Sequence, residues 1–482
     1  MELSLQYNGQ SVMYYKLKPP YSFRGWKRLP YAIRAEYGKE MFGQPYFFGK
    51  EQFMDLLRCN GTEDVDISAF SGRTQLDIKE MLKKGILEAS ESPMGALELW
   101  QIYRVYPARF MKGVHWAITG MCNMRCRHCL VSAPDHHQTQ LSLNDLIHVA
   151  DEIARCGIKV IDVTGGEPLM RKDFAEFCRI LSERDLHIRV LFTNASLLNE
   201  EVLDMLRENG QMPNFQLSFD GLGHHDWLRG VPGSEVQADA AFRLLHKHEI
   251  PAMAAMMLHR ENKDCLRDTV NYLSSMGVRN LGLNAPQNLG AWKQYSAKYA
   301  LTQDEVWEVY REYIPHYFED GMPIDIDLDG YFSCKKGSTD YKVNYVHHAD
   351  PDSDWTDIPY CESMRYHIHI RPDGRVAPCM GFSDSVLGDC FPSVLDEHLG
   401  DITLGGYYYD VVETKLSDVL ARNPECRDCE HWPECTAGCM VECMSDDGDY
   451  LIPDTRICHF HKHIGEVAVR DVADRAIEQY II

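Results

Sequence analysis

Between residues 110 and 290, short apolar runs alternate with longer amphipathic stretches. The apolar runs have the length of buried strands, and the stretches between them repeat apolar residues at helical spacing. The first helix is predicted to begin with a capping box formed by Ser142 and Asp145 and to end at Gly157. The six predicted strands are 114–119, 160–164, 188–193, 215–219, 252–258 and 281–284.

This alternation predicts an α/β fold with a parallel sheet and an active site at the carboxyl ends of its strands. Eight strand–helix repeats close a TIM-like barrel. Six repeats therefore predict an open, partial (βα)6 TIM-like barrel, whose mouth leaves room for a large substrate.

The regions on either side of the barrel have different patterns. The N-terminal region combines aromatic-rich strands at 4–17 and 31–47 with helices at 50–57 and 74–84. After the barrel, residues 336–360 are acidic and aperiodic, which indicates an exposed connection, and a cysteine-rich region with a strand at 367–371 follows. The predicted domains are 1–105, 106–325 and 326–482.

The composition is that of a soluble globular protein of several domains, with 45% hydrophobic and 25% charged residues among 482. The net charge of −23 argues against a nucleic-acid partner, because phosphate binding needs a basic surface. The longest apolar run, 250–258, is far shorter than the ~20 residues of a membrane helix. With no secretory signal in residues 1–9, we expect a cytoplasmic protein without a membrane partner.

In a reducing compartment, 17 cysteines indicate metal ligation more than disulfides. Cys122, Cys126 and Cys129 lie directly after the first predicted strand. A structural zinc site or an ordinary four-iron cluster takes four protein ligands, so three thiolates leave one position open for a substrate. The alternatives are cysteines that only pack, or part of a zinc site.

A second motif, Thr-Gly-Gly-Glu-Pro at residues 164–168, follows the second predicted strand. Its glycines allow close approach of a ligand, and Glu167 can accept hydrogen bonds from an ammonium group. Short polar side chains end the next two strands and suit hydroxyl and carboxylate groups of a ligand: Thr193, Asn194, Ser218 and Asp220.

These two motifs, on consecutive strands, resemble the radical S-adenosylmethionine (SAM) superfamily. The resemblance implies a [4Fe–4S] cluster on Cys122, Cys126 and Cys129, with SAM in the open position and cleaved by one electron to a 5′-deoxyadenosyl radical. It implies that SAM contacts come from Gly165, Gly166, Glu167, Thr193, Asn194, Ser218, Asp220, Arg229 and Leu283. Two alternatives remain open: Asp220 could cap the following turn, and Arg229 could form a structural salt bridge.

Seven C-terminal cysteines have the spacing of a SPASM domain. This resemblance implies a scaffold that holds two auxiliary [4Fe–4S] clusters. The resemblance assigns one cluster to Cys426, Cys429, Cys435 and Cys458. It assigns the other to Cys361, Cys379, Cys439 and a fourth ligand, for which Cys334 is the candidate. Cys390, Cys443 or an open site are alternatives, and a zinc ribbon is the alternative for the Cys426–Cys429 pair. Three [4Fe–4S] clusters and SAM are thus expected.

The N-terminal region resembles the winged-helix-like leader-binding domains of maturases that act on ribosomally made peptides, although it could instead be a structural cap. The resemblance as a whole implies a peptide maturase that receives electrons from a flavodoxin or ferredoxin and makes a thioether or carbon–carbon crosslink in a precursor peptide. Epimerisation is an alternative. A sulfatase-maturase-like oxidase is another, although Met380 stands where that group has an acidic residue. A non-enzymatic iron–sulfur electron carrier is the third.

Overall fold

The computed structural model describes residues 13–28, 31–131, 140–347, 357–432, 434–442 and 444–481. The predicted strand segment 4–12 and the candidate ligand Cys443 lie outside these residues. The chain divides into two compact units: residues 1–110 with 155–157, and residues 111–154 with 158–482.

The first unit is built from two small sheets and two helices. Its elements are β1 (Tyr14–Leu17), β2 (Tyr21–Trp26), β3 (Tyr31–Ala35), β4 (Tyr46–Phe48), α1 (Lys50–Leu56), β5 (Asn60–Asp64), α2 (Gly72–Lys83), β6 (Leu87–Ser90) and β7 (Arg104–Tyr106). The sheet orders are β5-β1-β6 and β4-β3-β2-β7. Phe53 and Leu56 of α1 are fully buried in one core with Ile78 and Met81 of α2. In each helix the two residues are three positions apart, so they lie on the same face and pack into the core together.

Both predicted helices of this unit are present, but its strands differ from the prediction. The predicted strand 31–47 is two strands, β3 and β4, separated by a 3-10 helix, Lys39–Phe42. Gly38 before that helix has a φ of 76°, a left-handed conformation that ends an extended strand. Strand β2 was not predicted.

The second unit contains one large sheet. Its strands are β8 (Gly113–Ala117), β9 (Val160–Thr164), β10 (His187–Thr193), β11 (Asn214–Ser218), β12 (Ala252–Met257), β13 (Val278–Asn284), β14 (Asp325–Leu328), β15 (Phe332–Cys334), β16 (Tyr341–Lys342), β17 (His367–Ile370) and β18 (Val376–Ala377). The order is β16-β15-β14-β13-β12-β11-β10-β9-β8-β17-β18. The run from β14 through β8 to β17 is parallel.

The six predicted strands correspond to β8–β13, but the parallel part of the sheet has eight strands among the described residues. Among the described residues, β14 adds to one edge and β17 to the other. Strand β14 reads Asp-Ile-Asp-Leu, so its alternating acids hid it from a search for continuous apolar runs. The predicted strand 367–371 is present as β17, and its pairing with β8 is a long-range contact that no local pattern indicates.

Helices lie between the parallel strands as the alternation predicts. They are α3 (Leu143–Arg155), α4 (Phe174–Ser182), α5 (Glu200–Glu208), α6 (His225–Arg229), α7 (Ser234–Lys247), α8 (Leu266–Ser275), α9 (Ser296–Tyr299) and α10 (Gln303–Glu319). The capping box of α3 is confirmed, because Ser142 Oγ lies 2.6 Å from Asp145 Oδ2 and accepts from Asp145 N at 3.3 Å. This cap fixes where α3 begins.

The cysteine-rich C-terminal region is mostly short helices joined by turns. They are α11 (Met380–Ser383), α12 (Leu399–Ile402), α13 (Gly406–Val412), α14 (Leu416–Arg422), α15 (Pro424–Arg427), α16 (Thr455–His459) and α17 (Gly465–Tyr480). In the described part of the chain, no helix combines the length and apolar character needed to cross a membrane.

Candidate active site

A cavity of about 500 Å³ lies at the carboxyl ends of the parallel strands of the second unit. Its lining comes from the ends of β9 to β13, from the loop after β14 and from the cysteine loop, which follows β8 and carries Cys122, Cys126 and Cys129. Met380, Glu442 and Arg456 of the C-terminal region complete the lining. Nine of the predicted site residues line this cavity: Cys122, Cys126, Cys129, Gly165, Gly166, Thr193, Asn194, Ser218 and Arg229. The carboxyl edge of a parallel sheet is where an α/β fold places its ligands.

The two predicted glycines support the cysteine loop. Gly166 N donates to Thr119 O at 2.7 Å, and Glu167 N donates to Met121 O at 2.7 Å. A Cβ on Gly166 would stand 2.1 Å from Met121 O, and one on Gly165, which has a φ of +143°, would stand 2.3 Å from Thr119 O. The glycines therefore allow the backbone of the cysteine loop to lie close to the end of β9. The sequence had indicated only that they allow a ligand to approach closely.

Two further glycines, which the sequence did not single out, allow close approach on the far side of the loop. A Cβ on Gly230 would lie 2.4 Å from Arg125 O, and one on Gly290 would lie 2.4 Å from Cys129 O. Both have positive φ, of 69° and 53°. The cysteine loop is thus held against three segments of the second unit by backbone contacts that a larger residue would prevent.

Glu167 is fully buried behind the cavity wall. Its carboxylate accepts hydrogen bonds from Thr193 Oγ1 at 2.8 Å, Asn194 N at 2.7 Å and Leu169 N at 3.1 Å. Burial raises the pKa of Glu167 to about 7. These bonds join the ends of β9 and β10, and the predicted contact of Glu167 with an ammonium group stays a prediction.

Arg229 and Asp220 form a buried bidentate ion pair, with Nε–Oδ2 at 2.6 Å and Nη2–Oδ1 at 3.1 Å. Burial opposes ionisation of Asp220, but the Arg229 guanidinium holds its pKa well below the usual range. Arg229 Nη1 also lies 3.7 Å from Cys126 Sγ. The structure therefore gives Arg229 the salt bridge that the sequence left open, and it directs a positive charge at one thiol of the cysteine loop.

Asn194 connects the end of β10 to the cysteine loop. Its Nδ2 donates to Asn123 Oδ1 at 2.8 Å, and Asn123 Nδ2 donates to Ser196 Oγ at 2.8 Å. Leu283, predicted as a SAM contact, is buried in β13 outside the cavity lining. The following residues of the same segment, 284–287, reach the cavity instead.

In both predicted C-terminal cysteine groups, thiols lie near enough to one another to affect their pKa values, and the assignment of the groups as cluster ligands stays a prediction. Burial and the neighbouring thiols of Cys439 and Cys361 raise the pKa of Cys379 to about 12. The group of Cys426, Cys429, Cys435 and Cys458 shows the same mutual effect. Burial, Glu425 and the other three thiols of the group raise the pKa of Cys426 to about 11.

Cys334 is not brought to the group of Cys361, Cys379 and Cys439. It ends β15, near the opposite edge of the sheet from β17, and its buried thiol donates to Ser338 O at 3.1 Å. Cys390 is exposed. Within the described ranges, no three His, Cys, Asp or Glu side chains lie close enough to hold a single metal ion.

The cavity lining includes residues that the sequence did not indicate, among them Gln287, Asp329, Glu442 and Arg456. Asp329 begins the Asp-Gly turn that follows β14, so recognising β14 as a parallel strand was the signal that could have identified it. Glu442 and Arg456 reach the cavity from the C-terminal region through long-range contacts, for which the sequence carries no spacing signal.

The donor set of the cavity fits an iron–sulfur cluster together with SAM. Three thiols from one loop line it beside a guanidinium, and hydroxyl and amide groups stand at the ends of β10 and β11. Thiolates are the ligands that such clusters take, and hydroxyl and amide groups suit the ribose and amino-acid parts of SAM.

Comparison with known proteins agrees with this donor set. Residues 116–273 match the Radical SAM superfamily, and this stretch contains the cysteine loop and the Gly-Gly-Glu motif. One curated relative, the AdoMet-dependent heme synthase of Methanosarcina barkeri, is 24% identical over 361 residues, covering 70% of this chain and 93% of the relative. The PqqA peptide cyclase of Granulibacter bethesdensis is 24% identical over 345 residues, covering 70% of this chain and 84% of the relative.

A solved structure extends the likeness of fold to nearly the whole chain. Streptococcus suis SuiB bound to the precursor peptide SuiA has a TM-score of 0.65 and 12% identity, covering 92% of this chain and 99% of SuiB.

Proposed function

Because the chain carries a radical SAM domain at residues 116–273, we propose that it is a peptide maturase that installs a thioether or carbon–carbon crosslink in a ribosomal precursor peptide. The observation that carries the proposal is the likeness of fold to peptide-bound SuiB over 92% of this chain. The PqqA peptide cyclase supports the same substrate class.

Cys122, Cys126 and Cys129 hold a [4Fe–4S] cluster in this proposal, and the two C-terminal cysteine groups hold two auxiliary clusters. When bound, the first cluster supplies the electron that cleaves SAM to methionine and a 5′-deoxyadenosyl radical, which removes hydrogen from the peptide. The protein's part is to bind, orient and enclose the reactants.

Arg229 and the ends of β10 and β11 carry out that positioning. The ion pair with Asp220 fixes the Arg229 guanidinium beside Cys126, with Nη1 3.7 Å from the Cys126 sulfur. Asn194 and Ser218 offer hydrogen-bonding groups at the cavity wall. Met380, Glu442 and Arg456 limit the access of water from the C-terminal side.

The partner in this proposal is a precursor peptide whose leader binds the N-terminal domain, residues 1–105. Met54 of α1 and Leu76 of α2 are exposed apolar side chains that suit such a contact. Deletion of residues 1–105 should weaken peptide binding and leave SAM cleavage intact, whereas unchanged peptide affinity would favour a structural cap. A flavodoxin or ferredoxin is the proposed electron donor.

A porphyrin-modifying activity is the second candidate, because the heme synthase relative is matched over 93% of its length. The C-terminal side of the cavity disfavours a substrate with several carboxylates. Asp329 and Glu442 line it, and its Arg456 is already paired with Glu442 and Asp454. An iron porphyrin that stimulates SAM cleavage more than a peptide does would establish this alternative.

The proposal is tested by co-expression with the peptide encoded by a short reading frame beside the gene, followed by mass spectrometry. A crosslink removes two hydrogen atoms from the peptide, whereas epimerisation leaves its mass unchanged. The control is the variant with Cys122, Cys126 and Cys129 all changed to Ala, which should return unmodified peptide. If SAM is cleaved but the peptide is chemically unchanged, the substrate assignment is wrong.

A further inference from the structure

The C-terminal side of the active-site cavity contains a group of polar residues to which the proposed chemistry assigns no contact with the substrate. Asp329, Gln287, Glu442 and Arg456 all line the cavity. They come from the turn after β14, the segment after β13, the cysteine-rich region and α16.

The positive charge of Arg456 is already paired within this group. Its Nη2 lies 3.1 Å from Glu442 Oε1 and 3.1 Å from Asp454 Oδ2, and the Asp454 side chain is fully buried. Gln287 Nε2 also donates to Glu442 Oε1. Two carboxylates thus face one guanidinium, so the positive charge of Arg456 is already balanced without Asp329.

Asp329 has no cation of its own. Its Oδ2 accepts from Ala285 N at 3.3 Å, and over the described ranges it forms no salt bridge and its Oδ1 has no hydrogen-bond donor. Gln287 Oε1 is buried and likewise lacks a donor among the described residues. Gln287 Oε1 is closed off from the cavity, whereas Asp329 lines it. Asp329 therefore presents to the cavity a carboxylate for which the described residues supply no cation, and a positively charged ligand can pair with it.

A tight turn fixes the position of Asp329. Asp329 and Gly330 have consecutive positive φ values of 50° and 83°, and Tyr331 N donates to Leu328 O at 3.0 Å. Two left-handed residues in a row characterise the type I′ turn of a hairpin, here between β14 and β15. The carboxylate is therefore held at the carboxyl edge of the sheet by backbone geometry.

We propose that this side of the cavity is a subsite for a positively charged side chain of the substrate, whose amine or guanidinium group lies against the Asp329 carboxylate. The subsite rests on the proposed function, because the charged group belongs to a peptide. A cation supplies the donor that Asp329 Oδ1 lacks and balances the one carboxylate that Arg456 does not pair with.

The charges around Asp329 give the subsite a pH dependence. Burial raises the pKa of Asp329 to about 7; Arg456 lowers it, and Glu442 and Asp327 raise it. The hydroxyls of Tyr310, Tyr331 and Tyr345 also face it, and their own raised pKa values keep them neutral near pH 7. The carboxylate ionises as the pH rises through about 7, so a cation should bind more tightly above that pH than below it.

The test uses small probes and the full-length protein with its clusters. Binding of n-butylammonium, methylguanidinium and uncharged n-butanol is measured by saturation-transfer NMR in the wild type, in Asp329→Asn and in Asp327→Asn. Asp329→Asn keeps the shape and the acceptor for Ala285 N, and its melting curve reports folding. Asp327→Asn is the matched control, because Asp327 is on β14 but is exposed and outside the cavity lining.

Both cations should bind saturably to the wild type, about tenfold more weakly to Asp329→Asn and within about twofold of wild type to Asp327→Asn. Affinity in the wild type should rise roughly fivefold between about pH 6 and about pH 8, as Asp329 ionises and if its neutral form binds as weakly as Asn, and should be flat in Asp329→Asn. The proposal is overturned by n-butanol binding as well as the cations, by equal binding to Asp329→Asn, by a flat wild-type pH profile, or by no saturable binding of either cation.

Failure of the subsite and failure of the proposed function have different signatures. If the wild-type protein binds the cations through Asp329 but cleaves no SAM, the subsite is supported and the proposed function is wrong. Wild-type protein that cleaves SAM but fails the cation tests keeps the function and loses the subsite.

Discussion

Replacement of Gly166 by Ala tests whether the cysteine loop needs a glycine at the end of β9. The added Cβ would stand 2.1 Å from Met121 O and 2.5 Å from Met121 C, both backbone atoms that no side-chain rotation can move away. Because real Cβ contacts are longer than 3.0 Å, the loop must move by about 1 Å, which stretches the hydrogen bonds from Gly166 N to Thr119 O and from Glu167 N to Met121 O.

A displacement of about 1 Å at a reacting centre lowers a rate by about a hundredfold. We therefore expect Gly166→Ala to form 5′-deoxyadenosine about a hundredfold more slowly than wild type. The matched control is Gly282→Ala, since Gly282 lies in the same sheet, on β13, and has no atom within 4 Å of an added Cβ. That variant should keep a rate close to wild type.

The assay is anaerobic reduction with dithionite in the presence of SAM, with 5′-deoxyadenosine followed by liquid chromatography and iron content measured on the same samples. A Gly166→Ala rate within about threefold of wild type would refute the packing argument. Equal loss in Gly282→Ala would show that the effect is a general weakening of the sheet.

Three further outcomes follow from the second unit. Arg229→Met should destabilise the protein by about 3–5 kcal/mol by leaving Asp220 buried without its cation, and Asp220→Asn added to it should restore most of the denaturant midpoint; a double variant no better than the single one contradicts this. Changing Cys122, Cys126 and Cys129 together to Ala should abolish 5′-deoxyadenosine formation and spare the spectra of the C-terminal clusters, and surviving cleavage would show that the site assignment is wrong. Asp329 has its pKa raised from 3.8 to about 7 in the folded protein, so the stability that its protonation confers is complete below pH 3.8 and is lost as the pH rises through 7. In denaturant unfolding, the stability of Asp329→Asn relative to wild type should therefore grow by about 2.6 kcal/mol between about pH 5 and about pH 8, and an unchanged difference would contradict the raised pKa.

The sequence predicts the central strands well because they read as apolar runs, largely buried on one face and mostly half-buried on the other. Strands β8–β13 and the cap of α3 match their predictions for that reason. Strand β14 alternates acids with apolar residues, and β17 joins the sheet from far along the chain, so neither carried the local signal that would place it in the parallel sheet.

The candidate site divides in a similar way. Cysteine spacing and the Gly-Gly-Glu motif are local patterns, and they identified the end of the cavity where Cys122 and Gly166 lie. Side-chain direction is not local, so the sequence could not indicate that the Glu167 carboxylate bonds to Thr193 and Asn194 behind the wall. The Asp329 side depends on a turn and on long-range packing, which only the structure shows.

The most direct test of the account is the formation of 5′-deoxyadenosine by the wild-type protein. With its iron–sulfur clusters loaded, anaerobically reduced and supplied with SAM, the protein should release 5′-deoxyadenosine and methionine in equal amounts, and added precursor peptide should leave the reaction with a changed mass. If the protein retains iron but forms no 5′-deoxyadenosine with or without peptide, the account is contradicted, and an iron–sulfur electron carrier becomes the better interpretation.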